Sequence, residues 1–208
     1  SGAIDARFAL EGYEECRRKF DFSLRYAKAM GKNSFYSFQQ EDYNAFLRKE
    51  KIISALRCSI AEQYKGFNVY YQPIMDCATE TITGAEALMR FTMDSEEGPE
   101  VISPIEFIPL LEETGLIIPA GKFVLKEAAK MCREIRRFIL GFQMNINVSY
   151  AQIAGGNVED DIIETIKEHA LDPANICVEM TESRLIDMTI PFIRFRHKLK
   201  DSRIDRKS

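Results

Sequence analysis

The alternation of strand and helix patterns after Gly66 is the feature that most restricts how this chain folds. Two strand patterns joined by a turn near Ala78 come first, and helix patterns then separate the remaining strands. This order indicates an α/β fold in which parallel β-α units surround a sheet or a barrel. The predicted strands are residues 67–76, 81–91, 142–149 and 175–182, and the predicted helices are residues 104–114, 121–139, 159–169 and 189–200.

The segment before Gly66 has a different pattern. It predicts a helix over residues 13–29, a short strand over residues 33–38 and a second helix over residues 41–63. The second helix carries an apolar stripe that can pack on a neighbouring domain or form a helix-mediated dimer. The stripe consists of Phe46, Ile53, Leu56 and Ile60.

Composition excludes several classes of protein. With 46% hydrophobic and 29% charged residues, the chain has the make-up of a globular protein with a sizeable core. Its apolar stretches are shorter than the roughly 20 residues that cross a bilayer, so we expect a cytoplasmic protein that meets a membrane only through parts outside this sequence. A formal net charge of -4 gives no reason to expect nucleic-acid binding. Five widely spaced cysteines without a CxxC pair argue against a zinc ribbon or a disulfide framework and predict buried, reduced thiols.

Polar side chains occupy positions within three predicted strands whose neighbours are apolar. Alternation places Glu86 and Arg90 on one face of their strand, and Asn147 and Glu179 occupy comparable positions in the next two strands. Two carboxylates and one carboxamide that converge would form an oxygen-rich site suited to Mg²⁺, Mn²⁺ or Ca²⁺. The alternatives are a hydrogen-bonded polar network, or strand-end side chains in solvent.

Six motifs occur in a fixed order along the chain and together are more specific than any one of them. They are Tyr71-Gln72-Pro73-Ile74, Gly84-Ala85-Glu86-Ala87-Leu88-Met89-Arg90-Phe91, Pro104-Ile105-Glu106-Phe107-Ile108-Pro109, Glu112-Glu113-Thr114-Gly115-Leu116-Ile117, Asn147-Val148-Ser149 and Glu179-Met180-Thr181-Glu182-Ser183. Over about residues 66–200 this order resembles the first half of an EAL domain, the cyclic di-GMP phosphodiesterase family.

The resemblance implies a (β/α)₈ barrel variant in which a metal-activated water hydrolyses cyclic di-GMP to pGpG. It implies Mg²⁺ or Mn²⁺ as the cofactor and cyclic di-GMP as the ligand. The implied metal ligands are Glu86, Asn147 and Glu179, the implied substrate contacts are Gln72 and Arg90, and Glu182 matches a position that steadies a neighbouring loop.

A weaker resemblance covers the start of the chain. Phe20-Asp21, Leu24, Tyr26-Ala27-Lys28 and Gly31-Lys32-Asn33 resemble the closing helix and strand of a GGDEF, or diguanylate cyclase, domain. The cyclase signature loop is missing from this sequence, so the segment is expected to act as a connector. The predicted division is a GGDEF-like remnant over residues 1–40, a linker helix over residues 41–65 and a truncated EAL domain over residues 66–208.

The motifs of the second half of the family are absent from this sequence. They are an Asp-Asp-Phe-Gly-Thr-Gly motif and the later Lys, catalytic Glu and Gln, so no catalytic base is assigned, and we expect the chain to end before the next apolar strand. Weak metal binding and slow turnover follow from that expectation. The alternatives are a degenerate, non-catalytic EAL module that acts as a receptor or scaffold, and a barrel enzyme of another metal-dependent class. An open half-barrel would expose strand edges, so a homo-oligomer or domain-swapped dimer is also predicted.

Overall fold

The computed structural model describes residues 2–3, 12–31, 34–180 and 189–207. The chain divides into two compact units, Ser1–Ile52 and Ile53–Ser208. The division falls inside the helix that was predicted as a linker. Each unit is described separately below. No helix in the described part of the chain is both long enough and apolar enough to span a membrane.

The first unit is built around a cluster of aromatic rings. Strand β1 (Gly2–Ala3) pairs in parallel with β2 (Tyr36–Ser37), and helix α1 (Tyr13–Ala29) spans the residues predicted for it. Helix α2 (Gln40–Ala61) begins in this unit. Phe22 lies at the centre of the cluster, with its ring centre 5.2–6.2 Å from those of five neighbouring rings. These neighbours are Tyr26, Tyr36, Phe38, Tyr43 and Phe46.

The second unit contains a mixed sheet. Its strands are β3 (Phe67–Asp76), β4 (Thr81–Ser95), β5 (Gly98–Ile102), β6 (Gln143–Val148), β7 (Ile176–Met180) and β8 (Asp205–Lys207). Their order is β3-β4-β6-β7-β8, and β5 pairs with β4. The β3–β4 and β4–β5 pairs are antiparallel, whereas β4, β6, β7 and β8 run parallel. The predicted α/β class is confirmed, and the parallel units begin at β4.

Helices connect the parallel strands and end where the local sequence favours an end. They are α3 (Pro104–Thr114), α4 (Ile117–Ile135), α5 (Tyr150–Gly155), α6 (Val158–Glu168) and α7 (Ile190–Asp201). Pro104 opens α3, where its missing N–H costs no hydrogen bond, and Gly115 closes it with φ 73°. Helix α4 starts immediately after that turn, four residues earlier than predicted.

One face of the sheet is apolar and supports the helices. Its strand residues belong to the same buried core as side chains from α4, α5, α6 and α7. The strand residues in this core include Ala85, Ala87, Met144, Ile146, Val148 and Val178. Alternation therefore leaves the opposite face to the polar residues of the same strands.

Two strands were missed by sequence patterns. The β4–β5 hairpin extends beyond the predicted strand end at Phe91, and Ser95 Oγ donates a hydrogen bond to Gly98 O at 2.6 Å in its turn. The second is β8, which adds to β7 in parallel through Cys177 and Asp205. Asp-Arg-Lys has little intrinsic strand preference, so pairing with β7 decides its conformation.

The cysteines are only partly as predicted, since all five are free but Cys58 and Cys77 are exposed. Cys132 and Cys177 are buried, and burial raises the pKa of the Cys132 thiol to about 11. Because the thiolate is the reactive form, native protein should be alkylated rapidly at Cys58 and Cys77 and at Cys132 only after unfolding. Pulse alkylation with peptide mass spectrometry measures this order. Rapid native labelling of Cys132 would contradict the packing of α4 on the sheet.

Candidate functional site

Four polar side chains lie together on one face of the sheet, at the centre of the second unit. In the strand register, Glu86 of β4 is opposite Asn145 of β6, and Asn147 of β6 is opposite Glu179 of β7. Neighbours in register point to the same side of a parallel sheet, as do residues two apart on one strand. We call this side the polar face, defined by Glu86, Asn145, Asn147 and Glu179.

Strand β6 connects the two carboxylates through its carboxamides. Asn147 Nδ2 donates a hydrogen bond to Glu86 Oε1 at 2.6 Å, and Asn145 Nδ2 donates one to Glu179 Oε1 at 2.5 Å. The central strand therefore fixes a carboxylate on each side of it.

The structure brings the three predicted metal ligands onto this face, but only two of them are hydrogen-bonded to each other. Glu86 and Asn147 contact each other directly, whereas Glu179 contacts Asn145 and lies beside Asn147 in the register. Glu182, predicted to steady a loop, lies outside the described residues.

The two residues predicted to contact substrate lie near Glu86 and Asn147 but form no hydrogen bond with them. Gln72 is the register partner of Glu86 on β3 and is exposed. Arg90 lies four residues beyond Glu86 on β4, where its Nη1 donates to Met89 O at 2.9 Å. Its guanidinium carbon lies 5.5 Å from the centre of the Tyr70 ring, a cation–π contact that restricts its position.

A cavity of about 350 Å³ opens beside the middle of β4 and the carboxyl end of β6. Its polar lining includes Glu86, Arg90, Asn147 and Ser149, and helices α3, α4 and α5 contribute further walls. The apolar lining includes Met89, Ile108, Ile117 and Val124. A concave site with apolar walls and a few converging polar groups is the usual form of a small-molecule site.

Asn145 is the residue of this site that sequence reasoning did not assign. It is 1% exposed, and its Nδ2 donates a hydrogen bond to Glu179 Oε1. Strand alternation offered the signal, because it placed Asn145 on the same face as Asn147. The partner of its amide could not be inferred, since that depends on the register between β6 and β7.

The donor set suits a hard divalent cation. Carboxylate and carboxamide oxygens are the ligands that Mg²⁺ and Mn²⁺ prefer, and Asn145 Oδ1 is buried without a hydrogen-bond partner among the described residues. Within that part of the chain, however, no group of three or more His, Cys, Asp or Glu side chains could hold a metal ion. A cation here would rely on two carboxylates and neutral amides, and on water or phosphate for its remaining ligands.

A tyrosine on the other side of β3 fixes the sheet to the helix layer. Tyr71 OH donates a hydrogen bond to Glu127 O of α4 at 3.1 Å. Burial, with a smaller contribution from the nearby Glu127 charge, raises the pKa of Tyr71 to about 12, so the phenol stays neutral. This contact anchors the strand that carries Gln72.

A comparison with protein families matches residues 54–203 to the EAL domain. Over 170 residues the chain is 31% identical to the bifunctional diguanylate cyclase/cyclic di-GMP phosphodiesterase MucR of Pseudomonas aeruginosa, covering 78% of this chain and 23% of that protein. It is 32% identical over 188 residues to the signaling protein YkoW of Bacillus subtilis, covering 89% of this chain and 22% of that protein. The chain thus spans less than a quarter of the length of these relatives.

Solved structures give the same fold. The PaMucR phosphodiesterase in complex with c-di-GMP matches with a TM-score of 0.58 and 26% identity, over 68% of this chain and 58% of that one. The EAL enzyme Bd1971 in its cAMP- and cyclic-di-GMP-bound form matches with a TM-score of 0.66 and 28% identity, over 78% of this chain and 44% of that one.

Proposed function

Because this chain belongs to the EAL domain family, we propose that its polar face binds cyclic di-GMP and that the complete domain hydrolyses this nucleotide to pGpG. Homologues are named as cyclic di-GMP phosphodiesterases, and a structural neighbour is a complex with c-di-GMP. The observation that carries the proposal is the pair of amide-held carboxylates, of which Glu86 lines a cavity of about 350 Å³ together with Asn147 and Arg90. On this proposal the mixed sheet is the first part of a (β/α)₈ barrel.

Glu86, Asn147 and Glu179 would hold Mg²⁺ or Mn²⁺. The chemistry that such an ion supplies when bound is neutralisation of the phosphodiester charge and activation of water. The protein's own contribution is orientation, because hydrogen bonds from β6 fix one oxygen of each carboxylate. Such supporting hydrogen bonds commonly change metal affinity by 10–100-fold.

Arg90 and Gln72 would hold the nucleotide. One guanidinium nitrogen of Arg90 is committed to Met89 O, and the Tyr70 ring limits the plane of the group. The remaining donors of its planar fork suit a phosphate oxygen. Gln72 is exposed beside Glu86 and can present both a donor and an acceptor to a base or phosphate.

We further propose that this 208-residue chain binds the nucleotide but turns it over slowly. Its candidate cation site contains two carboxylates, and no acidic cluster of three capable of holding a metal exists in the described part. Hydrolysis of a phosphodiester needs a base or a second metal ion to orient water. The alternative of a non-catalytic receptor or scaffold has no specific observation in its favour, whereas relatives are named as phosphodiesterases.

The test is to incubate the purified chain with cyclic di-GMP and either Mg²⁺ or Mn²⁺ and to follow binding and pGpG together. We expect binding that weakens when EDTA removes the cation, with little product. A chain that does not bind cyclic di-GMP contradicts the proposed function. Turnover at an ordinary enzymatic rate would instead contradict the proposal of slow turnover.

Residues 1–40 are proposed to derive from the end of a GGDEF domain, with residues 41–65 as a linker and residues 66–208 as the EAL portion. One finding supports a separate first unit, since a matched relative is named as a bifunctional cyclase and phosphodiesterase. The boundary between the two compact units falls at Ile52, inside the proposed linker, and Tyr43 and Phe46 of that linker pack in the aromatic cluster of the first unit.

Self-association is expected from the sheet. Among the described strands, β3 and β8 lie at its two edges, and Tyr70 on β3 is 62% exposed. Unpaired strand edges favour pairing with another chain, so light scattering at low micromolar concentration should give twice the monomer mass. A sharp monomer peak with cooperative unfolding would contradict this expectation.

A further inference from the structure

One polar atom of the Asn145 carboxamide has a hydrogen-bond partner within the described residues, and the other has none. Its Nδ2 donates to Glu179 Oε1 at 2.5 Å, whereas its Oδ1 is buried and has no hydrogen-bond partner within the described residues. The side chain is 1% exposed, so bulk water does not reach it. A buried carbonyl oxygen without a partner is uncommon and needs an explanation, of which a bound ion is one.

The orientation of this amide follows from its contact. The Asn145 nitrogen donates to Glu179 Oε1, so the amide oxygen faces away from that carboxyl group. Rotating the amide by 180° would oppose two oxygens at 2.5 Å. The unpaired oxygen is therefore a property of the site and not an arbitrary choice of rotamer.

The location of Asn145 connects it with the candidate cation ligands. It is opposite Glu86 in the register of β4 and β6, and Asn147 is two residues away on the same face. It also contacts Glu179, so Asn145 adjoins all three predicted metal ligands on adjacent strands. A carboxamide oxygen is a hard, neutral donor of the kind that divalent cations accept.

We propose that Asn145 is a fourth oxygen ligand of the cation site, with its Oδ1 directed to the ion and its Nδ2 holding Glu179. The proposal rests on the cation role included in the proposed function. As a ligand, Asn145 would contact the ion through its own oxygen. A residue that only held Glu179 in place would act on the ion indirectly.

Titration of the full 208-residue chain with Mn²⁺ alone, followed by electron paramagnetic resonance of the free ion, tests this assignment. Asn145→Ala should reduce Mn²⁺ affinity by about 10-fold or more. Asn145→Asp keeps an oxygen for the ion and adds a charge but loses the hydrogen bond to Glu179, so its affinity should lie above that of Asn145→Ala. Gln143→Ala is the matched control, since Gln143 lies on the same face of β6 but bonds to Ala174 O and Asp205, and its affinity should equal that of the parent.

Each outcome decides the proposal. Equal Mn²⁺ affinity in the parent and the Asn145→Ala variant would overturn the proposal. If the Asn145→Asp variant bound Mn²⁺ as weakly as Asn145→Ala, Asn145 would only position Glu179, and the proposal would also be overturned. If Asn145→Ala fails to fold by circular dichroism, the Asn145→Asp titration decides alone. Absence of Mn²⁺ binding in the parent overturns the proposal too, whereas the proposed nucleotide binding is judged separately by cyclic di-GMP titration.

Discussion

The Glu86→Gln variant is expected to bind Mn²⁺ about 100-fold more weakly than the parent chain, at the upper end of the range seen for groups that orient or hold a metal. Glutamine keeps the shape of the side chain and an oxygen that can accept the hydrogen bond from Asn147 Nδ2. The change therefore removes a negative charge with little disturbance of packing. Metal titration measures the loss, and cyclic di-GMP binding should fall with it.

Glu112→Gln is the control for this variant. Glu112 lines the same cavity from α3 but does not belong to the polar face. The same loss of charge at Glu112 should leave Mn²⁺ affinity within a few-fold of the parent value. Equal losses in the two variants would mean that the general negative potential of the cavity attracts the ion, and the assigned role of Glu86 would be wrong.

The Phe91→Ala variant is expected to lose about 3–5 kcal/mol of unfolding free energy, a large share of the roughly 5–15 kcal/mol typical of a folded domain. Phe91 is 1% exposed, and its ring centre lies 4.8 Å from that of Phe67 and 5.9 Å from that of Phe107. Removing the ring leaves a cavity where β3, β4 and α3 meet. Urea unfolding followed by circular dichroism measures the loss, a suitable probe because the chain has no tryptophan.

Phe138→Ala makes the same chemical change at a position that is 88% exposed. An exposed ring contributes little burial, so this variant should stay within about 0.5 kcal/mol of the parent. If both phenylalanine variants unfold at the same urea concentration, the core assigned to Phe91 is wrong.

Side-chain alternation predicted the face of the candidate site well. Whether Glu86, Asn147 and Glu179 share a side depends on the twofold period of strands, which the sequence carries directly. The hydrogen-bond partners depend on register between strands far apart in the chain. Asn145 and Glu179 are 34 residues apart, and nothing local indicates that one contacts the other.

Other features of the fold also depend either on the local sequence or on contacts with distant residues. Pro104 and Gly115 fix the ends of α3 by backbone geometry, and the prediction for that helix was correct. Strand β8 was missed because Asp205 is held in a strand by its pairing with β7, against its own preference. The exposed Cys58 and Cys77 were missed because burial of a small thiol depends on packing and not on its sequence neighbours.

The most direct measurement is the position of a bound ion in crystals grown with Mn²⁺, located by anomalous diffraction. We expect an anomalous peak over β6, within about 2.5 Å of oxygens from Glu86, Asn147 and Glu179 together. A Mn²⁺ peak elsewhere, or Glu86 and Glu179 oxygens that do not approach the ion at saturating Mn²⁺, would contradict a shared cation site on this sheet.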